Sequence, residues 1–396
     1  AGCVVERRAT IHWPKSRRDA NSVALVPRLI ALDLPAGDEF VANVVRAWQS
    51  GDVVLPIDQR LPMSARRALL AYLAADVVVS ANDVTTLASE HSPALVPLVE
   101  GDALVIATSG TTGEPKGVVH THGSLNAAAR LVGQRLNLSG DDHWWLCIPP
   151  AHIGGFGVVA RALHHRSRLS FAQAIDQPAI DAARTEGATR TSVVPTLLTR
   201  HSFVGWRTVL VGGAASDALP NNAIATYGMT ETAGGVVYGG APLDDVDVRI
   251  EHGEILVRTP TMARTYRHAP LSLSDGWLAT GDLGEFDGQR LIVKGRRDDL
   301  IITGGVKVWP RIVEARLREH ALVDDVCVVG APDAQWGSIV VAYVSTSAAT
   351  APTLEQLRSH VKETLSPPHA PQRLVVVPKI PRTTLGKVRR SELPSV

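Results

Sequence analysis

The 396-residue sequence is poor in cysteine, in lysine and in long apolar runs, and it has almost no net charge. Its three cysteines, Cys3, Cys147 and Cys327, lie too far apart for a CxxC zinc or redox site. We therefore expect a reducing compartment, the cytoplasm. The first 18 residues carry charges every few positions, so they lack the apolar core of a secretory signal.

The apolar runs, such as residues 339–344, are far shorter than the roughly 18 residues that a transmembrane helix needs. Lys and Arg together number 40 against 39 Asp and Glu, which gives a formal net charge of +1. This balance argues against a protein that binds nucleic acid or a membrane surface through its overall charge. We expect small-molecule ligands instead. The sequence leaves the oligomeric state open, a homodimer included.

Core-forming residues are abundant, since 45% of the chain is hydrophobic. At roughly 100 to 200 residues per domain, the length predicts two or three domains. Short apolar runs alternate with helical patterns, and the predicted strands are residues 24–26, 53–55, 77–79 and 103–107, with helices at 40–49, 64–75 and 124–136. This alternation predicts an α/β fold with mostly parallel sheets covered on both faces.

The pattern changes near residue 243, where short strands separated by Gly and Asp predict a β-rich subdomain. After residue 297 an α+β pattern begins, with helices predicted at 310–319 and 353–365 and strands at 325–330 and 339–345. We therefore predict a large N-terminal domain of residues 1–297 and a small C-terminal domain of residues 298–396.

Only 7 of the 40 basic residues are lysines, so each lysine is informative. Lys116 lies in the strongest local motif, which comprises Thr108, Ser109, Gly110, Thr111, Thr112, Gly113, Glu114, Pro115, Lys116 and Gly117. Glycines let backbone N–H groups approach phosphate oxygens, hydroxyls donate further bonds, and a lysine offsets negative charge. The motif is not the usual P-loop, because Pro precedes the lysine and Gly follows it. A polar turn with incidental hydroxyls is the structural alternative.

A second glycine pattern competes with this one. Gly155, Gly157 and Ala160, with Asp176 further along, fit the GxGxxA fingerprint of a dinucleotide site. The tight strand-to-helix turn that such a site requires is interrupted by residues 149–152, which include two prolines. We therefore favour the hydroxyl-rich motif as the nucleotide site.

Further motifs follow in order along most of the chain: residues 227–232 (YGMTET), 280–282 (TGD), 294–299 (KGRRDD), 304–307 (GGVK) and 381–387 (PRTTLGK). Together with residues 108–117, they resemble the acyl-adenylating superfamily of acyl-CoA synthetases, adenylation domains and luciferases. The resemblance implies ATP, Mg²⁺ and a carboxylate as ligands, with a mobile C-terminal domain.

The resemblance also implies roles for individual residues. Lys387, Lys116 and the Mg²⁺ ligand Glu231 are the implied catalytic groups, although Glu231 could instead cap a helix start. The implied nucleotide contacts, besides residues 108–113, are Gly212, Gly213, Ala214, Tyr227, Gly228, Met229, Thr230, Asp282 and Arg296. Asp298 is the implied hinge, and the loop of Gly304, Gly305 and Lys307 would line the route of coenzyme A. A solvated basic tail is the alternative for Lys387.

Two segments, residues 149–155 and 228–243, are similar to the o-succinylbenzoate-CoA ligases of menaquinone synthesis. This similarity implies an ATP-dependent, AMP-forming acid-thiol ligase that makes o-succinylbenzoyl-CoA through an acyl-adenylate. Gly234 and Gly235 would admit a flat ring, and His152 would lie at the acyl pocket unless it only caps or packs. A substrate with a second carboxylate needs a buried partner, for which we consider Arg161, Arg190 and Ser192.

Other readings stay open at this stage. The enzyme could be another aryl- or medium-chain acyl-CoA ligase, or a stand-alone adenylation enzyme that loads a carrier protein. A non-catalytic nucleotide-binding protein is disfavoured, because binding alone requires neither Lys387 nor Glu231.

Overall fold

The computed structural model describes residues 26–87, 95–109, 115–213, 219–382 and 388–395. The chain forms two compact units, one of Ala1–Val248 with Val257–Leu278 and one of Arg249–Leu256 with Ala279–Val396. This division falls earlier than residue 297, because the strands of the β-rich segment pair mainly with one another and group with later residues. The predicted domain boundary at residues 297 and 298 stays a prediction.

The chain up to residue 299 alternates strands and helices at first and then turns to strands alone. The strands are β1 (Leu29–Asp33), β2 (Val53–Pro56), β3 (Val77–Ser80), β4 (Val84–Thr86), β5 (Asp102–Ser109), β6 (Pro115–Thr121), β7 (His143–Leu146), β8 (Arg168–Phe171), β9 (Arg190–Val193), β10 (Thr208–Val211), β11 (Ala223–Met229), β12 (Gly234–Tyr238), β13 (Ala241–Pro242), β14 (Asp247–Glu251), β15 (Glu254–Arg258), β16 (Thr265–Tyr266), β17 (Leu278–Asp287) and β18 (Arg290–Arg296). The helices are α1 (Asp38–Gln49), α2 (Met63–Leu73), α3 (His122–Leu136), α4 (Ile153–His165), α5 (Gln177–Thr185) and α6 (Pro195–Leu198).

In the described part of the first unit, two seven-stranded sheets have the orders β16-β6-β5-β2-β1-β3-β4 and β13-β12-β11-β10-β9-β7-β8. Their central strands are parallel, as expected, while β4, β6, β12, β13 and β16 pair antiparallel. Leu29, Leu55 and Val105 are fully buried in the first sheet. Continuous burial on both faces explains why these strands read as unbroken apolar runs.

Strand β6, like β1, was not predicted from the sequence, and the strand predicted at residues 24–26 lies outside the described residues except for Val26. A glycine-rich turn leading directly to a helix was expected after β5, whereas β6 returns antiparallel to it and places Lys116 opposite Thr108. Helix α3 begins after β6 because Thr121 and Ser124 form a capping box, in which each side chain accepts a hydrogen bond from the other's backbone N–H.

The second unit holds most of a sheet of order β14-β15-β17-β18, together with the C-terminal elements. The latter are β19 (Ile301–Thr303), β20 (Val306–Val308), α7 (Pro310–Arg318), β21 (Asp325–Asp333), β22 (Gly337–Ser345), α8 (Leu354–Lys362) and β23 (Arg373–Val376). Strands β20, β19, β22 and β21 form a sheet that β23 extends beside β22. Val313, Leu317, Val340 and Leu357 belong to its separate buried core.

Two further findings bear on the sequence predictions. No helix in the described ranges is long and apolar enough to cross a membrane. Cys147 and Cys327 are free and buried, and burial raises the pKa of each thiol to about 11. Neither thiol therefore has the thiolate character of a reactive cysteine.

Candidate functional site

Lys116 and Thr108 lie opposite each other at the end of the β5–β6 hairpin. The Thr108 hydroxyl is 3.4 Å from the Lys116 carbonyl oxygen, to which it donates. Lys116 is exposed, and its Nζ lies 5.3 Å from the centroid of the Tyr266 ring. Ser109 ends β5, whereas the predicted phosphate-loop residues Gly110, Thr111, Thr112 and Gly113 lie outside the described residues.

Glu231 lies on a 3-10 turn, Thr230–Thr232, that directly follows β11. Its side chain is fixed by Tyr266, whose hydroxyl donates to Glu231 Oε1 over 2.9 Å. Burial and the charge of Glu231 raise the pKa of Tyr266 well above its ordinary value, so the phenol stays a donor. The carboxylate is thus held without any cationic partner among the described residues.

Each backbone carbonyl of this turn also accepts a hydrogen bond from elsewhere in the unit. His120 Nε2 contacts the Thr230 oxygen at 2.7 Å, the Ala263 N–H donates to the Glu231 oxygen at 2.7 Å, and the Thr261 hydroxyl donates to the Thr232 oxygen at 2.8 Å. Desolvation lowers the pKa of the fully buried His120 to about 4, so its imidazole is neutral at physiological pH. The position of Glu231 is therefore fixed on several sides.

The chemistry of this position suits Mg²⁺ that arrives with a nucleotide. No group of three or more His, Cys, Asp or Glu residues that could hold a metal ion occurs within the described ranges. Mg²⁺ is commonly bound through one or two carboxylates plus substrate phosphates, and not by an all-protein cage. A single fixed carboxylate, Glu231, fits that requirement.

Several of the implied nucleotide contacts lie at the ends of two neighbouring parallel strands. Gly212 and Gly213 follow β10, and Tyr227, Gly228 and Met229 end β11. A Cβ atom at Gly228 would come within 2.0 Å of the Gly234 carbonyl oxygen, so only glycine fits where β11 meets β12. Ala214 lies outside the described residues.

Arg161 is buried beside a small cavity between α3, α4 and β12. The cavity is lined by Leu125, Ala128, Ala129, Val132, Ile153, Gly157, Ala160, Arg161, Ala233, Gly235 and Tyr238. Arg161 Nη2 donates to Ser192 Oγ at 3.1 Å, and the guanidinium lies 4.6 Å from the centroid of the Trp144 ring. Burial lowers the pKa of Arg161, and its Nε has no hydrogen-bond partner among the described residues. A Cβ at Gly157 would lie 3.2 Å from Arg161 Nη1, so this glycine makes room for the guanidinium.

Arg190, proposed from the sequence as another carboxylate partner, has a different environment. Its guanidinium donates to Asp142 Oδ1 at 2.5 Å, to the Thr208 hydroxyl at 2.8 Å and to the Leu136 carbonyl at 3.2 Å. The Arg190 and Asp142 side chains are only 4% and 1% exposed. Arg190 is thus committed to a buried structural network, and we do not retain it as a substrate residue.

His152 is the N-cap residue of α4 but makes no capping hydrogen bond with its side chain. Its Nε2 lies 3.2 Å from Asp58 Oδ2 and 3.0 Å from Arg60 Nη2, while Arg60 also pairs with Asp58 at 2.7 Å. His152 is not among the residues that line the cavity, although Ile153 is. The acyl-pocket role of His152 stays a prediction.

In the second unit, Asp282 and Arg296, two of the implied nucleotide contacts, are paired across β17 and β18. Arg296 Nη1 donates to Asp282 Oδ1 at 3.3 Å and to the Thr280 carbonyl at 3.0 Å. Gly304 and Gly305 form the β19–β20 turn with φ values of 54° and 81°, and Lys307 follows on β20. Their nucleotide and coenzyme roles stay predictions.

The structure describes the predicted hinge residue, Asp298, but not the predicted catalytic lysine, Lys387. Asp298 is exposed on a 3-10 turn, Arg297–Asp299. Lys387 lies outside the described residues, but Arg382 and Val388 on either side of residues 383–387 form a β-bridge. Arg382 is also held by Asp325, to which it donates at 2.7 and 2.8 Å.

Comparison with known proteins places this site in a family. Residues 27–267 match the AMP-binding enzyme family, and residues 312–387 match the AMP-binding enzyme C-terminal domain. The chain belongs to the AMP-binding enzyme family.

Similar relatives share one name. The 2-succinylbenzoate–CoA ligase of Listeria monocytogenes is 32% identical over 92% of this chain and 88% of its own. A Mycobacterium tuberculosis protein named a probable 2-succinylbenzoate–CoA ligase is 38% identical over 74% of this chain and 83% of its own. The solved structure of o-succinylbenzoate CoA synthetase (MenE) from Bacillus subtilis, in complex with the acyl-adenylate intermediate, has a TM-score of 0.81 at 25% identity, covering 93% of this chain and 88% of that one.

Membership in this family confirms the α/β fold class and the predicted resemblance to acyl-adenylating enzymes. The competing dinucleotide pattern has a structural explanation in this AMP-binding enzyme. Gly155 and Gly157 lie within α4, and a Cβ at Gly155 would come within 2.3 Å of the Pro149 carbonyl oxygen. Asp176 is the N-cap of α5, where it accepts from the Ala179 N–H at 2.9 Å.

Proposed function

We propose that this AMP-binding enzyme is a 2-succinylbenzoate–CoA ligase of menaquinone synthesis. In the first half-reaction, a substrate carboxylate attacks the α-phosphate of ATP, which forms an acyl-adenylate and releases diphosphate. In the second, the thiol of coenzyme A attacks the acyl carbon, which forms the thioester and releases AMP. The names of the relatives support the substrate, and a cytoplasmic location and a homodimer remain predictions.

The observation that carries the substrate assignment is the unpaired cation at the cavity. Arg161 is 8% exposed, and within the described ranges no carboxylate balances its charge. A buried charge is costly unless it is paired and hydrogen-bonded. A dicarboxylate substrate has one carboxylate for adenylation and a second that supplies this missing counter-ion. Ser192, already bonded to Arg161, is available to donate or accept beside it.

The other residues serve the nucleotide. When bound, Mg²⁺ supplies positive charge to the phosphate oxygens. Glu231 offers it a fixed carboxylate, and Lys116 adds a positive charge at the start of β6. Asp282 and Arg296 are assigned to the ribose hydroxyls, and Lys387 to the charge that develops at phosphorus.

Two monocarboxylate analogues, 4-oxo-4-phenylbutanoate and 2-butanoylbenzoate, test the role of Arg161, since each lacks one carboxylate of 2-succinylbenzoate. The wild type should prefer the diacid by about tenfold or more in kcat/KM, the size of a hydrogen-bonded ion pair. Arg161→Ala should abolish this preference over the analogue that keeps the adenylated carboxylate, whereas Arg130→Ala, an exposed arginine on α3, should retain it. Equal preference in Arg161→Ala and wild type would remove Arg161 from the site. A wild type indifferent to the second carboxylate would favour another aryl- or medium-chain acyl-CoA ligase.

A further inference from the structure

Tyr266 lies outside every sequence motif, yet it contacts both charged residues that the first unit contributes to the proposed nucleotide chemistry. It is half-buried on β16, which pairs antiparallel with β6 and sets Tyr266 opposite Val118. Its hydroxyl is 2.9 Å from Glu231 Oε1, and its ring centroid is 5.3 Å from Lys116 Nζ. One side chain thus joins two residues from distant parts of the sequence.

In the hydrogen bond between Tyr266 and Glu231, the donor is fixed. An ionised carboxylate only accepts, so the phenol must be the donor. Charge-assisted bonds of this kind are stronger and shorter than neutral ones, and they restrict the rotation of the carboxylate. No described residue donates to Oε2, which leaves this second oxygen available to a cation.

The Tyr266 ring makes a cation–π contact with Lys116. This lysine is exposed on a flexible stem, and no carboxylate in the described part of the chain pairs with its ammonium group. An ammonium within about 6 Å of an aromatic face is attracted by the ring quadrupole. Because β6 fixes the Lys116 backbone and the Tyr266 ring attracts its head, the ammonium has a preferred position before any ligand binds.

We propose that Tyr266 is a positioning residue for metal–nucleotide binding, orienting the Glu231 carboxylate through its hydroxyl and the Lys116 ammonium through its ring. The inference rests on the ATP- and Mg²⁺-binding part of the proposed function, and not on the identity of the acyl substrate. Tyr266 itself does not touch the reacting atoms.

Tyr266→Phe tests the hydroxyl because it removes one oxygen and keeps the ring. Isothermal titration of the full chain with ATP, in Mg²⁺ and then in EDTA, measures how much Mg²⁺ increases the affinity without any turnover. In Tyr266→Phe this Mg²⁺-dependent gain should fall about tenfold, as expected for one charge-assisted bond. Affinity in EDTA should match the wild type. Tyr72→Phe removes a hydroxyl from another half-buried tyrosine of the same unit and should change neither value.

The Glu231→Gln background shows whether Tyr266 acts through Glu231. There, Tyr266→Phe should cause no further loss, and a loss as large as in the wild-type background would overturn the proposal. An unchanged Mg²⁺-dependent gain in Tyr266→Phe would also overturn it.

Tyr266→Leu tests the ring independently. Tyr266→Leu should weaken ATP binding in EDTA as well. In the Lys116→Ala background it should cause no further loss of affinity in EDTA. If Tyr266→Leu and the wild type bound ATP equally in EDTA, the role of the ring would be contradicted. A wild type that bound no ATP would refute the nucleotide part of the proposed function itself. A wild type that did not turn over 2-succinylbenzoate would refute the substrate assignment but would leave the ATP-binding test of Tyr266 valid.

Discussion

His120 donates a hydrogen bond from Nε2 to the backbone carbonyl of Thr230, the residue that precedes Glu231. A carbonyl oxygen only accepts, so Nε2 carries the proton and Nδ1 accepts from the Ser124 hydroxyl at 3.1 Å. The imidazole therefore joins the start of α3 to the turn that carries Glu231. The bond at Nδ1 requires the neutral imidazole, because a protonated Nδ1 could not accept, whereas Nε2 can donate to the Thr230 carbonyl in either protonation state.

This arrangement predicts a pH-dependent contribution to stability. The pKa of His120 is about 4 in the folded chain and about 6.5 when unfolded, so the unfolded chain binds the proton more readily. The contribution is fully present above pH 6.5 and declines as the pH falls towards 4. The free energy of unfolding should lose roughly 2 to 3 kcal/mol from this group across that window.

Denaturant unfolding of wild type and His120→Gln between pH 7.5 and 4.5 measures this difference, because glutamine can donate to the carbonyl but does not titrate. Other histidines titrate equally in both proteins and cancel. The wild type should lose more stability than the variant on acidification, and parallel curves would show that His120 is not the responsible group.

The two buried arginines of the first unit should respond differently to truncation. Among the described residues, Arg190→Ala leaves the carboxylate of Asp142 with only the largely exposed Arg207 as an ionic partner, at 3.0 Å. It should lower the free energy of unfolding by about 3 kcal/mol or more, as for other broken buried ion pairs. Arg161→Ala should cost much less stability, since it removes a cation that has no anion. Calorimetric melting distinguishes the two, and similar losses would contradict this division of roles.

Gly155 and Gly154 form a matched pair for the start of α4. A Cβ at Gly155 would lie 2.3 Å from the Pro149 carbonyl oxygen, whereas one at Gly154 meets only Ile148 Cδ1 at 3.8 Å. Gly155→Ala should therefore destabilise the protein by about 1 to 3 kcal/mol. Gly154→Ala should be neutral or stabilising by up to about 1 kcal/mol, because alanine favours a helix. The midpoints of denaturant unfolding provide the comparison, and equal effects would contradict the close approach.

Lys387, assigned from the sequence alone, should separate the two half-reactions. Removing a positive charge that stabilises a transition state commonly costs a factor of about 100 to 1000 in rate. Lys387→Ala should thus nearly abolish carboxylate-dependent diphosphate release, while a supplied acyl-adenylate should still be converted to the thioester. Arg389→Ala, an exposed neighbour, is the control. Intact diphosphate release in Lys387→Ala would leave the lysine as part of a solvated basic tail.

The sequence was most informative where function depends on adjacent residues. The glycines, hydroxyls and lysine of residues 108–117 lie within one short segment, and so does the Glu231 turn. Asp282 and Arg296 could also be placed together, since their motifs belong to two strands separated by a short turn. Local chemistry and short-range pairing are readable from the order of residues.

The contacts that could not be predicted from the sequence depend on pairing between distant segments of the chain. Tyr266 meets Glu231 and Lys116 only because β16 pairs with β6, and nothing in the residues around Tyr266 indicates this contact. Arg161 and Arg190 could not be separated from sequence either, because the partners of each guanidinium lie on distant segments of the chain. The pairing of β9 with β7 brings Arg190 beside Asp142, which immediately precedes β7.

The most direct test of the proposed reaction is to incubate the full chain with 2-succinylbenzoate, ATP, Mg²⁺ and coenzyme A while recording AMP and the mass of the product. We expect AMP to accumulate in equal amount with a thioester of the mass of succinylbenzoyl-CoA, and neither without the carboxylate. Benzoate and medium-chain fatty acids should give much less. AMP and thioester formed preferentially from one of those acids, or none formed from 2-succinylbenzoate, would contradict the proposed function.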